Sequence, residues 1–394
     1  MKKATLVLVI ALLAGLAGCG QKQSISDDII VVDITKAPSS KKELILQDFM
    51  DVEYVALETK DDFLNRGVVH DIGKKTILVT NQDDGDIFVY DRTGNALRKI
   101  NRRGQGGEEY ISCFNITLDE ENEEMFINDI SLQKIHVYDL YGNFKRSFQH
   151  KKGNGILFYN DIFNYDKSNL ICYDQYNEKI PFVLISKKDG SITKEIKIPF
   201  KKKILLLQQT RDEEHIYIKT PGPYRRIITF KGNWILSETS SDTVYTLSPD
   251  YSLYPLLVRT PSIQTMNPEV FLILRFFSDR YYFMETIKNV FDFSTGKGFS
   301  RTFFMYDRQE KAFFNYTVYN GDYTIKKEIY MNWLRPVNHE IESWQALDAN
   351  QLIESYNNGE LKGKLNKIAA TLNEDSNPVI MLIKHKKQTN FWEQ

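Results

Sequence analysis

Short apolar runs alternate with polar turns through most of this chain, and one phrase of that pattern occurs twice. Ile87-Phe88-Val89-Tyr90-Asp91-Arg92-Thr93-Gly94-Asn95 returns as Ile135-His136-Val137-Tyr138-Asp139-Leu140-Tyr141-Gly142-Asn143. Each copy is an apolar and aromatic run, an Asp, a Gly-Asn turn, and a second run that ends at Ile100 or Phe148. Such a phrase reads as a β-hairpin in which Gly supplies the positive φ of the turn. Gly94 and Gly142 lie 48 residues apart, and Gly190, in Lys187-Lys188-Asp189-Gly190-Ser191, follows after another 48. Strands repeating with a period of 40–50 residues are the sequence mark of a propeller.

The pattern predicts four strands per unit. The first unit is Val68–Ile72, Thr76–Thr80, Ile87–Asp91 and Leu97–Ile100, and the second is Asn115–Leu118, Glu124–Asn128, Ile135–Asp139 and Phe144–Phe148. The third is Ile162–Tyr165, Asn169–Tyr173, Phe182–Ser186 and Ile192–Ile198. Third strands such as Ile87–Tyr90 are apolar at every position, as expected of sheets covered on both faces. Two degenerate units follow. Asp242–Leu247 and Phe303–Asp307 echo the third strand, Trp234–Ser237 and Tyr281–Met284 are second strands, and insertions such as Lys201–Arg211 stretch the spacing.

The sixth unit opens with Tyr330–Pro336 and Ser343–Leu347. Asp348 then reads as the N-cap of a helix stopped by Asn358-Gly359, and a second amphipathic segment runs from Leu361 to Leu372. Val379–Lys384 is the last strand, so this unit is one short, while Asp51–Glu58 precedes the first unit as an orphan. Sharing the sixth blade between the two ends makes an all-β, six-bladed propeller of four-stranded antiparallel blades over 46–394, with a helical insertion at about 348–373. Residues 19–45 read as a tether, with Ile29–Ile34 as a possible short edge strand.

The first eighteen residues stand apart. Lys2 and Lys3 precede the apolar run Ala4–Leu13, which is too short to span a bilayer. Leu16-Ala17-Gly18-Cys19 resembles the bacterial lipoprotein cleavage box. That resemblance implies a signal peptide over 1–18, several acyl chains on Cys19 and stable anchoring. Gly20, rather than Asp, favours the outer membrane, with the choice between periplasmic face and cell surface left open. Cys113 and Cys172 make no disulfide framework and read as small buried hydrophobes. A 13% aromatic content, with 22 Tyr and 24 Phe, suits strands. A formal charge of −1 leaves no footprint for nucleic acid, and Lys201-Lys202-Lys203 reads as a solvated loop.

Leu57-Glu58-Thr59, Val89-Tyr90-Asp91, Arg103-Gly104-Gln105-Gly106-Gly107-Glu108-Glu109-Tyr110 and Asp375-Ser376-Asn377-Pro378-Val379 together resemble the six-bladed β-propeller lipoproteins abundant in Bacteroidetes, which are similar to NHL-repeat propellers. The resemblance covers nearly all of the chain after Cys19. It departs at Gly107, where family members usually carry Pro. It implies fold and envelope location but no activity.

Catalytic templates are absent: there is no Gly-x-Ser-x-Gly elbow, no phosphate loop and no His-Glu-x-x-His. The six histidines have no ligand spacing, and His136 reads as a packed strand residue. Asp119–Glu124 reads as a solvated turn, and Asp83-Asp84-Gly85-Asp86 lacks the spacing of a calcium loop. No metal and no cofactor are expected. The Gly-rich segment Arg102–Tyr110 joins two blades, on the rim where Asn81, Asp129, Asp174, Glu238 and Glu285 follow second strands. A ligand there would meet Arg102, Arg103, Glu109, Tyr110, Asp129 and Asp174; the alternative is that Arg102, Arg103 and Glu109 only tie blades together. The expected function is an envelope-anchored module binding a small molecule, glycan or envelope protein. The rival is a hydrolase or lyase acting on carbohydrate or peptide, and fold alone does not choose between them.

Overall fold

A run such as Ile87-Phe88-Val89-Tyr90 has no polar face and must be covered on both sides. The fold provides this by standing sheets side by side around a channel. The structure, a computed structural model, describes residues 29–81, 84–150 and 159–386. The signal segment and Cys19 lie outside the described residues. Blade 1 is Val68–Ile72, Thr76–Thr80, Asp86–Asp91 and Ala96–Asn101, and blade 2 is Asn115–Asp119, Glu124–Asp129, Lys134–Asp139 and Phe144–Gln149. Blade 3 is Asp161–Asn164, Asn169–Tyr173, Phe182–Ser186 and Ile192–Ile196, and blade 4 is Ile227–Phe230, Asn233–Leu236, Thr243–Leu247 and Leu253–Thr260. Blade 5 is Val270–Phe277, Tyr281–Lys288, Arg301–Asp307 and Ala312–Tyr319.

Blade 6 is shared between the chain ends, as the sequence predicts. Asp51–Ala56 pairs antiparallel with Val379–Lys384, which pairs with Ile341–Leu347. The expected first strand, Tyr330–Pro336, is displaced. Met331–Trp333 forms a 3-10 turn whose Met331 is buried, and residues 334–338 take the innermost place without a backbone ladder. The buried Ser343 hydroxyl holds that segment instead, accepting from the Arg335 N–H at 2.8 Å and donating to the Arg335 carbonyl at 3.0 Å. The predicted helix is present as Ala349–Asn357, with Asp348 accepting from the Gln351 N–H, and a second helix spans Gly363–Ala369.

The segment expected as a tether does more than tether. Ile30–Asp33 adds a parallel fifth strand to the outer edge of blade 4, and Lys41–Ile45 does the same on blade 5. The chain thus passes along blades 4, 5 and 6 before it enters blade 1.

Each of the six junctions between blades has its own apolar cluster. Val69 and Phe88 meet Ile380 and Leu382 between blades 1 and 6, and Val89 meets Met125 and Ile127 between blades 1 and 2. Val137 meets Leu170 and Cys172, Leu184 meets Trp234 and Leu236, Ile235 meets Leu274 and Met284, and Phe283 meets Met381 and Ile383. The repeated glycines belong to this stacking. Gly94 has φ +94°, and a Cβ there would lie 2.1 Å from the carbonyl oxygen of Ala56 on the neighbouring blade. Gly142, at φ +84°, would bring a Cβ within 2.6 Å of the Ile100 side chain. Both requirements, the positive φ and the close approach, exclude a side chain. At the ring seam, Asn377 donates from Nδ2 to the carbonyls of Glu58 (2.9 Å) and Phe63 (2.8 Å) and accepts from the Asn65 N–H.

Candidate functional site at the channel mouth

The residues expected at the rim prove to be largely occupied within the fold. Tyr110 is fully buried in the junction of blades 1 and 2, where its hydroxyl donates to the Gly85 carbonyl at 2.6 Å and accepts from the Arg102 N–H. The Arg102 guanidinium donates to the Gly142 carbonyl at 2.8 Å, and Glu109 accepts from the Gly106 N–H at 2.8 Å. Arg103 pairs with Tyr110 in an isolated parallel bridge and packs its side chain over Gly85. Asp129, also fully buried, accepts from the N–H groups of Ile111, Ser131 and Leu132. These five residues come together around one loop; Asp174 lies apart, on blade 3. Its Oδ1 accepts from the Tyr176 N–H, its Oδ2 is buried without a partner, and burial raises its pKa. The other acids of the expected ring are engaged as well, and Glu285 lies not in a loop but inside a second strand that runs on to Lys288. Glu238 holds Lys203 Nζ at 2.7 Å and Glu285 holds Arg275 and Arg301.

The channel itself opens into two cavities that share Asp71, Phe163 and Val337. One, of about 810 Å³, is bordered by hairpin turns of mixed charge such as Lys74-Lys75 and Glu120–Glu123. The other, of about 590 Å³, is bordered by the first strands of blades 1, 2 and 3, by the segment entering blade 4, and by residues 335–337 of blade 6. Cys113 and Phe114 between blades and Gln175 and Tyr176 of blade 3 reach the same mouth, as does Ile218. Ile218 belongs to the exposed hairpin Gln208–Arg211 and Ile216–Lys219. Cavities of this size accept small ligands.

Three blades present a basic residue at the same station of the innermost strand. Gly73, Ser278 and Asn338 close the first turns of blades 1, 5 and 6 by donating to the carbonyls of Thr76 (2.7 Å), Tyr281 (2.9 Å) and Ile341 (3.0 Å). Three positions before each stand His70, Arg275 and Arg335. His70 and Arg275 are bulge residues, because the register steps from Val69↔Val79 to Asp71↔Leu78 and from Leu274↔Met284 to Phe276↔Phe283. A bulge re-aims the extra side chain, and such irregularities gather at functional sites.

Their surroundings fix what each can do. His70 Nδ1 accepts from the Ile116 N–H at 3.3 Å, which leaves the proton on Nε2, 2.9 Å from Thr80 Oγ1. Burial, assisted by Arg225 and Arg335, drags its pKa down to about 4, so the ring is neutral at pH 7. Burial pushes the Asp71 carboxyl up to about 6, although both its oxygens accept backbone N–H groups, from Ile72 and Leu118. Asp161 is held by Arg225 Nη1 at 3.2 Å and by the Arg226 N–H at 2.9 Å. Arg226 is spent on Gln175 and lies over the Tyr224 ring. Arg335 is different. Among the described residues no hydrogen bond or ion pair holds its guanidinium, which opens onto the cavity. Burial lowers its pKa, and Arg225 and Arg275 lower it further.

No described helix is long and apolar enough to cross a membrane, and no group of three or more His, Cys, Asp or Glu among the described residues could hold a metal ion. Cys113 and Cys172 are free thiols. None of His70, Arg225, Arg275 or Arg335 was singled out by the sequence reading. The signal was the basic residue ahead of, or inside, an innermost strand, as in Arg225-Arg226 before Ile227.

Six stacked blades around a channel with a polar, partly basic mouth define a six-bladed β-propeller. The chain belongs to the family described as a domain of unknown function (DUF4934), whose model matches residues 29–384. Among solved structures it is similar to a Bacteroides fragilis protein described as exported, at 16% identity and TM-score 0.55, covering 91% of this chain and 100% of that one. It also aligns with a DUF4221 family member from Bacteroides vulgatus at 10% identity and TM-score 0.48, covering 86% and 99%. The first likeness is one of fold. No curated protein matches the chain.

Proposed function

We propose that this protein is a non-enzymatic binding module of the cell envelope, and that its ligand enters the cavity at the channel mouth. The observation that carries this is Arg335, an unpartnered guanidinium held on a clamped backbone at the edge of a cavity of about 590 Å³. Arg335 is exposed at this opening, so its guanidinium is free to meet a ligand that enters the cavity. The rim supports binding too, since Phe114, Tyr176 and Ile218 leave aromatic and apolar surface exposed around the opening. The rival reading as a hydrolase or lyase asks for a free base. His70, Asp71 and Asp161 all border the cavity, but the one lone pair of His70 is taken by the Ile116 N–H and every oxygen of the two carboxylates already accepts an N–H donor.

A melting-temperature screen of envelope glycans and peptides followed by hydrogen exchange tests the site. A ligand at a hundred times its Kd should add about 2.7 kcal/mol. Exchange is expected to slow at residues 68–71, 115–117 and 222–226; protection confined to 102–112 moves the site to that loop.

Envelope location rests on Lys2-Lys3, the short apolar run and Leu16–Cys19, and on the exported Bacteroides fragilis protein of similar fold. Anchoring through lipidated Cys19 and residence at the outer membrane extend that reading. Cys19→Ser should leave the protein unprocessed by the lipoprotein route and without its anchor. A Cys19→Ser protein of mature mass in the membrane fraction overturns the lipoprotein reading.

A further inference from the structure

We propose that the group received at the channel mouth is an anion, a carboxylate or phosphate carried by a small molecule, held by Arg335 together with Arg225. This rests on the channel-mouth reading above and adds the chemistry of the ligand. The first support is the count of charges around the opening. Among the lining residues Arg225, Arg226 and Arg335 stand against two carboxylates, Asp71 and Asp161, while Arg275 and Arg301, outside the lining, share Glu285, and each of these carboxylates is already engaged. Glu285 lies between Arg275 and Arg301, Asp161 between Arg225 and the Arg226 backbone, and Asp71 takes two backbone N–H groups. No acid is left for Arg335.

The second support is geometry. Ser343 grips both backbone polar groups of Arg335, so the guanidinium projects from a fixed base. Arg225 spends only Nη1 on Asp161, and its buried Nε has no partner. Two planar donor forks facing one space suit the paired oxygens of a carboxylate or phosphate. The third support is electrostatic. Burial, then Arg225 and Arg275, disfavour the charge on Arg335, a cost that Asp161 offsets only in part and a bound anion would offset further. Neutral His70 adds no charge of its own.

The test compares the parent protein with Arg335→Gln and Arg335→Lys, using glucuronate, inorganic phosphate and neutral glucose as probes in melting and titration experiments. Without any probe at low salt, Arg335→Gln should melt no lower than the parent, because it removes one of several mutually repelling charges. Glucuronate or phosphate should stabilise the parent more than glucose does, with an effect that shrinks as salt rises. Arg335→Gln should weaken that binding by about ten- to a hundredfold, and Arg335→Lys by less. Stabilisation by glucuronate alone assigns a carboxylate ligand, and by phosphate alone a phosphate ligand. If neither anion exceeds glucose, or if Arg335→Gln melts lower and binds both anions unchanged, the proposal is wrong. Should glucose slow exchange at 68–71 and 222–226 as much as glucuronate does, the cavity stands as the binding site and only its anion preference falls.

Discussion

His70 and Asp71 are neighbours on the innermost strand of blade 1, and they act on acid stability in opposite directions. The folded His70 pKa, about 4, lies below its ordinary 6.5, so the unfolded chain binds that proton more readily. Its contribution is lost as pH falls through the window from 6.5 to 4. The folded Asp71 pKa, about 6, lies above its ordinary 3.8, with Glu120 adding to the effect of burial and Arg225 opposing it. Here the fold gains stability as pH falls from 6 towards 3.8. The two slopes, each on the order of 1 kcal/mol per pH unit, should nearly cancel in the parent. Single substitutions should expose them. Between pH 6 and 4, His70→Gln is expected to become steadily more stable relative to the parent, and Asp71→Asn steadily less. Urea midpoints across that range decide the matter: lines parallel to the parent for both variants would mean that neither side chain is buried in the state it adopts here.

Elements differ in how far the sequence announces them, and the reason is whether their constraints are local. The hairpin between third and fourth strands is fully local. Asp91 Oδ1 accepts from the Thr93 and Asn95 N–H groups, Asp139 Oδ1 from those of Tyr141 and Asn143, and the glycine in each takes a positive φ. Those requirements write Asp, Gly and Asn at fixed offsets, so the repeat could be read directly. The Asp348 cap is equally local. Lys41–Ile45 is the contrary case. It is a charged stretch, mostly exposed or half-buried, and it becomes a strand only because Asn315–Tyr319 lies beside it. The innermost strands hide for another reason. Bulges at His70 and Arg275, and a side-chain clamp in place of a ladder at Arg335, break the period that identifies a strand. The cavity residues were therefore missed where the alternation fails. The loop Arg102–Tyr110 drew attention by its glycines and charges, yet its backbone closes on itself, Gly104 N–H to the Tyr110 carbonyl and Tyr110 N–H to the Arg102 carbonyl.

At the scale of the whole molecule, the ring stands or falls on six junctions, and the seam is one of them. Val379–Lys384 runs between Ile341–Leu347 and Asp51–Ala56, so it is the middle of blade 6 and contributes to the clusters on both its faces. Removing the chain from Val379 onward takes away five buried apolar residues and leaves two strands without a partner. Such a protein is expected to lose its cooperative thermal transition altogether; an unchanged melting temperature by circular dichroism would show the seam to be dispensable. The strands laid along blades 4 and 5 also bear on timing. Ile30 waits for Leu257, Lys41 for Asn315 and Asp51 for Lys384. A polypeptide is delivered from its N-terminus, while blades 1 to 3 draw only on neighbours in sequence and can form as they emerge. The first strands to leave the ribosome are thus the last to find their places, and the ring is completed by the part of the chain that was made earliest.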